Sequence, residues 1–209
     1  MDYYGLMFAI QRFVTVLLAA SLGAHAQALV APASPAVASV MDGELFYQLL
    51  LGELSAQGGE PGTGFALILD GARKTGDPRL FQRAVEIALQ ARSGDSALQA
   101  ARAWKQALPD SRDANRYVLQ ILIGLNRLSD TVEPLKREIA LVEPRERASA
   151  IALLPRYFAR SSDKTLAANT LEQALAEHLN SPATGAAAWT AVGRLRLEAG
   201  DAVAALDAA

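Results

Sequence analysis

Apolar side chains recur at every third or fourth position from Asp42 onward, in runs of roughly 12 to 17 residues cut by Gly or Pro. A chain divided this way can bury its stripes only as short helices packed on their neighbours, because no run alone encloses a core. The spacing predicts helices near 42–57, 63–75, 78–92, 96–108, 112–126, 130–142, 145–160, 163–179, 184–199 and 202–209, taken in pairs as helical hairpins. Alanine is abundant, aromatics make up 6% of the 209 residues, and β-branched residues are thinly spread, which suits close-packed helices and leaves little material for a sheet. One stretch resists the pattern. Pro155 follows Leu153-Leu154 inside the 145–160 run, and an interior proline removes a backbone hydrogen bond, so a kink or break is expected near residue 152.

The N-terminus has a different character. Arg12 precedes the apolar run Phe13 to Gly23, and Ala24-His25-Ala26 then supplies the small-x-small pattern of a signal-peptidase site. About 11 apolar residues fall short of the roughly 20 that span a bilayer as a helix, so the run reads as a cleaved secretory signal over 1–26. Met7 would make a cleaner start than Met1, because Asp2 weakens the positive n-region. Residues 27–41, rich in Ala, Pro, Ser and Val and carrying Pro32 and Pro35, read as a flexible tether before the helical array at 42–209. The chain has no cysteine, so it can form neither a disulfide, a thiolate metal site nor a lipidated N-terminal cysteine. The expected location is the periplasm, with peripheral association with the envelope.

Internal repetition gives the array a more specific reading. Trp189, Val192, Gly193, Ala199-Gly200-Asp201 and Ala205 follow the spacing W-x-x-L-G, then G-D, then A, and resemble the tetratricopeptide repeat consensus. Leu51-Gly52 and Gly59-Glu60 repeat the L-G and G-acid pairs at the same separation, Ala97 and Pro109 match the second unit, and Pro144 closes the third. Equivalent positions near residues 45, 78, 112, 146 and 186 are separated by roughly 33, 34, 34 and 40, close to the 34-residue period except in the fourth unit. The stretches Leu45 to Leu50, Lys74 to Leu80 and Arg83 to Ala88 are similar to envelope tetratricopeptide proteins of proteobacteria, including adaptors that deliver substrates to a periplasmic protease.

The resemblance implies an all-α fold of antiparallel hairpins stacked into a right-handed α-solenoid. It implies a non-catalytic scaffold or adaptor that holds a protein or peptide in a concave groove, for envelope assembly or substrate delivery. Carried over by register, the groove-facing residues are Phe46, Leu49 and Glu53; Gln82 and Glu86; Arg116 and Gln120; Thr190 and Arg194. Two other roles stay open: the N-terminal helical part of a longer envelope enzyme such as a lytic transglycosylase, and a fixed structural subunit. The last hairpin stops at Ala209, inside its second helix, so the array is expected to continue beyond it.

Chemistry-bearing residues are few. Gly58 to Gly64 is glycine-rich but lacks the Lys-Ser/Thr of a phosphate loop and follows no strand, so it reads as a hairpin turn, with Thr63 as the cap of the next helix. His178 stands near a helix end, where an imidazole suits the negative pole. Ser161-Ser162-Asp163 reads as a turn and N-cap. Glu133 and Arg137, four apart, suit an exposed helix pair. Trp104, Tyr117, Tyr157, Phe158 and Trp189 are expected in the core. Phe46 and Tyr47 are adjacent and should face different sides. The formal charge of −2, with arginines interleaved among acids, offers no field for nucleic acid, and no cofactor or metal ion is expected.

Overall fold

The computed structural model describes residues 43–207, and the expected signal and tether lie outside that range. All regular structure among the described residues is helical. In chain order the α-helices are α1 (Gly43–Gln57), α2 (Pro61–Thr75), α3 (Pro78–Gln90), α4 (Gly94–Ala107), α5 (Arg112–Gly124), α6 (Val132–Ala140), α7 (Arg147–Leu153), α8 (Lys164–Leu179), α9 (Gly185–Glu198) and α10 (Ala202–Asp207). From α1 to α6 each helix packs on the next, and the short turns between them make successive neighbours antiparallel. Farther on, α6 packs on α8 and α7 on α9, skipping one element, while α8 and α9 pack as successive neighbours. The fold is the stack of helical hairpins that the resemblance implies.

Periodicity is visible in the backbone as well as in the side chains. Hydrogen bonds from Glu60 N to Ser55 O, Ser93 N to Ala88 O, Arg127 N to Leu122 O and Asp201 N to Arg196 O, 2.8–3.0 Å long, each close the end of the first helix of a hairpin. The residue before each donor, Gly59, Arg92, Asn126 and Gly200, has positive φ. This is the Schellman way of satisfying terminal carbonyls, and it recurs at roughly the 34-residue repeat. The fourth unit lacks it. There α7 ends at Leu153, and a 3-10 stretch, Leu154–Phe158, carries Pro155 where the sequence predicts a break.

Other local expectations need correction. Helix α2 starts at Pro61, flanked by Glu60, because proline suits the first turn; Thr63 is therefore inside the helix and caps nothing. Glu133 pairs with Lys136 at 3.2 Å, while Arg137 reaches Asp110 and the Pro109 carbonyl in the turn between α4 and α5. Segment 130–142 opens as a 3-10 turn, Leu128–Thr131, before α6, whose first turn accommodates Pro134. Asp163 does cap α8, accepting from Leu166 N at 2.8 Å.

Two clusters of fully buried side chains make up the core. The first runs from Ile68 through Phe81, Ile87, Leu98 and Trp104 to Leu122; the second runs from Leu119 through Leu135, Phe158 and Leu171 to Leu195. Helix α5 contributes to both. Trp104 and Phe158 are buried as expected, and Tyr117 and Tyr157 are half-buried at the core's edge. Trp189 and Gly193 are only half-buried, and the core side of α9 is formed by Ala188, Ala191, Val192 and Leu195.

A buried polar knot interrupts this apolar interior. Asn115, completely buried on α5, donates to the Pro134 carbonyl at 2.9 Å and to Glu138 Oε2 at 3.2 Å, and accepts from Lys105 Nζ at 3.0 Å. Glu138 also receives Arg112 Nε at 3.3 Å. Thus α4, α5 and α6 are pinned in one register by groups that tolerate few other arrangements.

Candidate protein-binding face

The first helices of two successive hairpins, α1 and α3, are joined side to side by polar contacts. Arg83 on α3 makes a two-pronged ion pair with Glu53 on α1, both bonds 2.7 Å long, and lies 3.5 Å from Glu86 on its own helix. Gln82 donates to Glu86 at 2.9 Å. Three of the residues expected to face the groove, Glu53, Gln82 and Glu86, are thereby collected into one half-buried cluster. The guanidinium of Arg83 is the main reason the Glu53 carboxyl is held below its ordinary value, with burial opposing. A depressed carboxyl stabilises the fold above its unfolded pKa, and that contribution is lost as pH falls through the folded value. Glu53→Gln is therefore expected to lower stability modestly at neutral pH, with the difference from the parent chain fading as pH falls below about 4.5, as followed by urea midpoints across pH.

The remaining expected residues are placed differently. Leu49 packs against the core, its Cδ2 2.8 Å from where a Cβ on Gly71 would lie, so it serves the α1–α2 contact. Phe46 and Tyr47 are both exposed, at 57% and 61%. Arg116 on α5 lies beside Tyr157, whose hydroxyl is pushed up chiefly by burial, with the nearby arginine opposing. Thr190 donates to the Ala186 carbonyl and Arg194 pairs with Glu198, each within α9.

Gln120 opens on a feature the sequence does not announce. Between the end of α3 and the outer side of α5, a pocket of about 360 Å³ is lined by Leu89, Tyr117, Gln120, Ile121 and Leu125, with Arg92 at its edge. Its wall is mostly apolar. Leu89 stays 46% exposed, and Tyr117 rests on Trp104 with ring centroids 5.5 Å apart. Arg92 forms no ion pair with the described residues, and its φ of 55° puts a long side chain in a left-handed conformation that glycine occupies more readily. Gly59 and Gly200 stand at the equivalent turns. The signal in the sequence is the exception itself, an arginine in a repeat position otherwise held by Gly or Asn.

A second pocket, of about 380 Å³, lies between α6 and α8, among Glu133, Lys136, Arg137, Arg147, Glu177 and His178. Its charges alternate in sign, and Lys136 is already paired with Glu133. His178 Nδ1 is 3.1 Å from Thr184 Oγ1, which ties the ring to the turn between α8 and α9. Among the described residues, no group of three or more His, Asp or Glu side chains is placed to hold a metal ion, and no helix is long and apolar enough to cross a membrane.

No family model matches the chain, and no curated protein matches it. Among solved structures it is similar to MamA, at 12% identity over 78% of this chain and 87% of that one, with a TM-score of 0.44. A structure of MamA from Desulfovibrio magneticus RS-1 gives 13% identity, 80% and 92% coverage, and a TM-score of 0.45. PilW, described as a widely conserved type IV pilus biogenesis factor, gives 19%, 80% and 76%, and 0.39. Agreement at this level is partial, and the architecture above rests on the chain's own helix packing.

Proposed function

We propose that the protein is a non-catalytic scaffold of the periplasm that holds a protein or peptide partner along the face formed by α1, α3 and α5. Arg92 carries this reading. A cation that forms no ion pair with the described residues, held in left-handed backbone against an apolar pocket, costs stability that glycine would restore, and such local strain concentrates where it serves binding. The pocket suits an apolar side chain of an extended or helical segment, and the guanidinium suits a carboxylate next to it. Gln120 and the Glu53–Arg83–Glu86 cluster provide polar contacts on either side of that anchor. Export follows from the signal expected at 1–26 and locates the partner in the envelope.

Arg92→Gly separates the two roles of the position. The variant should raise the urea midpoint, by about 0.5–1 kcal/mol in stability, while weakening partner binding. Binding is measured by a photo-crosslinking residue at Gln120 in intact cells, with Gln99 on the exposed side of α4 as control. Partner adducts at position 120 that fade with Arg92→Gly are the expected result. Adducts of equal strength in both backgrounds, or none at position 120, would refute the assignment of this face.

A further inference from the structure

Helix α1 carries the largest run of exposed apolar side chains among the described residues. Phe46, Tyr47, Leu50, Leu51 and Leu54 are between 36% and 61% exposed, and all lie opposite the side that Leu45, Leu49 and Gly52 turn to α2. Spacings of four and eight residues align Phe46, Leu50 and Leu54 along one line of the helix, with Tyr47 and Leu51 beside it. No Lys or Arg occurs in α1, and Glu53 is turned aside to Arg83, so the stripe itself is free of charge. An uncharged stripe of this kind on the first described helix leaves apolar surface that a further helix would normally cover.

We infer that this stripe is covered by α1 of a second copy, in a twofold antiparallel pairing centred on Leu50. The positions are self-complementary. With Leu50 on the axis, Phe46 of one copy meets Leu54 of the other, and Tyr47 meets the neighbourhood of Glu53, whose charge Arg83 already neutralises. Five side chains exposed to this degree leave on the order of 400–500 Å² per copy, which puts the pair near the lower limit of specific interfaces and predicts a weak dimer. Other occupants fit less well. Residues 27–41 carry Pro32 and Pro35 and mostly small side chains, so they cannot present a matching four-residue repeat. The lack of basic residues gives no attraction for anionic headgroups or an acidic partner.

Sedimentation velocity of the purified chain, from about 1 to 100 μM to bracket a weak dissociation constant, is the direct test. A concentration-dependent dimer is expected, with Leu50→Glu and Tyr47→Glu shifting it to monomer at unchanged helicity and melting temperature, and Leu206→Glu at the opposite end leaving it intact. The chain has no native cysteine, so Leu50→Cys should crosslink to itself under mild oxidation while Gln99→Cys does not. This second readout holds even where a charged variant folds poorly. A monomer throughout the range, a dimer dissolved by Leu206→Glu but not by Leu50→Glu, or no disulfide at position 50 overturns the inference. Flotation with phosphatidylcholine vesicles in place of self-association overturns it too, in favour of a lipid-bound helix.

Discussion

Gly64→Leu is expected to detach α1 from the stack and lower stability by about 3 kcal/mol, the upper part of the range for overpacking. The cause is backbone, not side chain. A Cβ on Gly64 would lie 2.7 Å from the Gly52 carbonyl oxygen and 2.8 Å from both the nitrogen and the Cβ of Ala56. None of these atoms can rotate away, and the remaining leucine atoms have to fit where α1 and α2 already touch. In a stacked array each unit depends on its neighbours, so the damage should stay near the end where it is made. Hydrogen exchange should show α1 and α2 losing protection while α3 to α5 keep theirs, and the urea transition should fall and broaden. An unchanged midpoint would show that α1 is not held by this crossing.

Asn115→Leu should cost about 2–4 kcal/mol although it replaces a buried side chain with one of the same branching and heavy-atom count. Leucine offers neither the donors that now reach Pro134 and Glu138 nor the acceptor that holds Lys105. Glu138 is left with Arg112, itself about half exposed, as its remaining side-chain partner. Replacing both ends of a buried polar contact is far less costly than orphaning one. The double variant Asn115→Leu/Glu138→Leu should therefore recover much of the loss. A double-mutant cycle by urea denaturation checks this, and strictly additive losses would mean the two residues act separately.

The helices were legible because their stripes and their Gly and Pro punctuation depend only on local spacing, and so was the break at Pro155. The polar knot was legible in part. Asn115 lies three and four residues before Val118 and Leu119, on the side that must be buried, and Glu138 adjoins Ile139, yet their pairing across two helices is a tertiary fact. The binding face divides for the same reason. Register alone places Glu53, Gln82 and Glu86 on one side, but not the ion pair that draws them together or the pocket beside Gln120. Trp189 is half-buried because α9 turns Ala188, Val192 and Leu195 inward, a choice of helix rotation to which the repeat spacing is blind. Thr63 misled because a hydroxyl near a helix start reads as a cap only until Pro61 is seen to occupy the first turn.

Both hydrophobic clusters draw on a single helix, with Val118, Ile121 and Leu122 facing one and Leu119 the other. A load applied across the ends of the array therefore passes through thirteen residues of α5 and the Asn115 knot that anchors it. The register of the two flanking interiors is therefore set at that joint, by the contacts of α5 and its Asn115 knot. A partner gripping the faces on both sides of α5 would feel a stiffness governed by the contacts of α5 with α4 and α6.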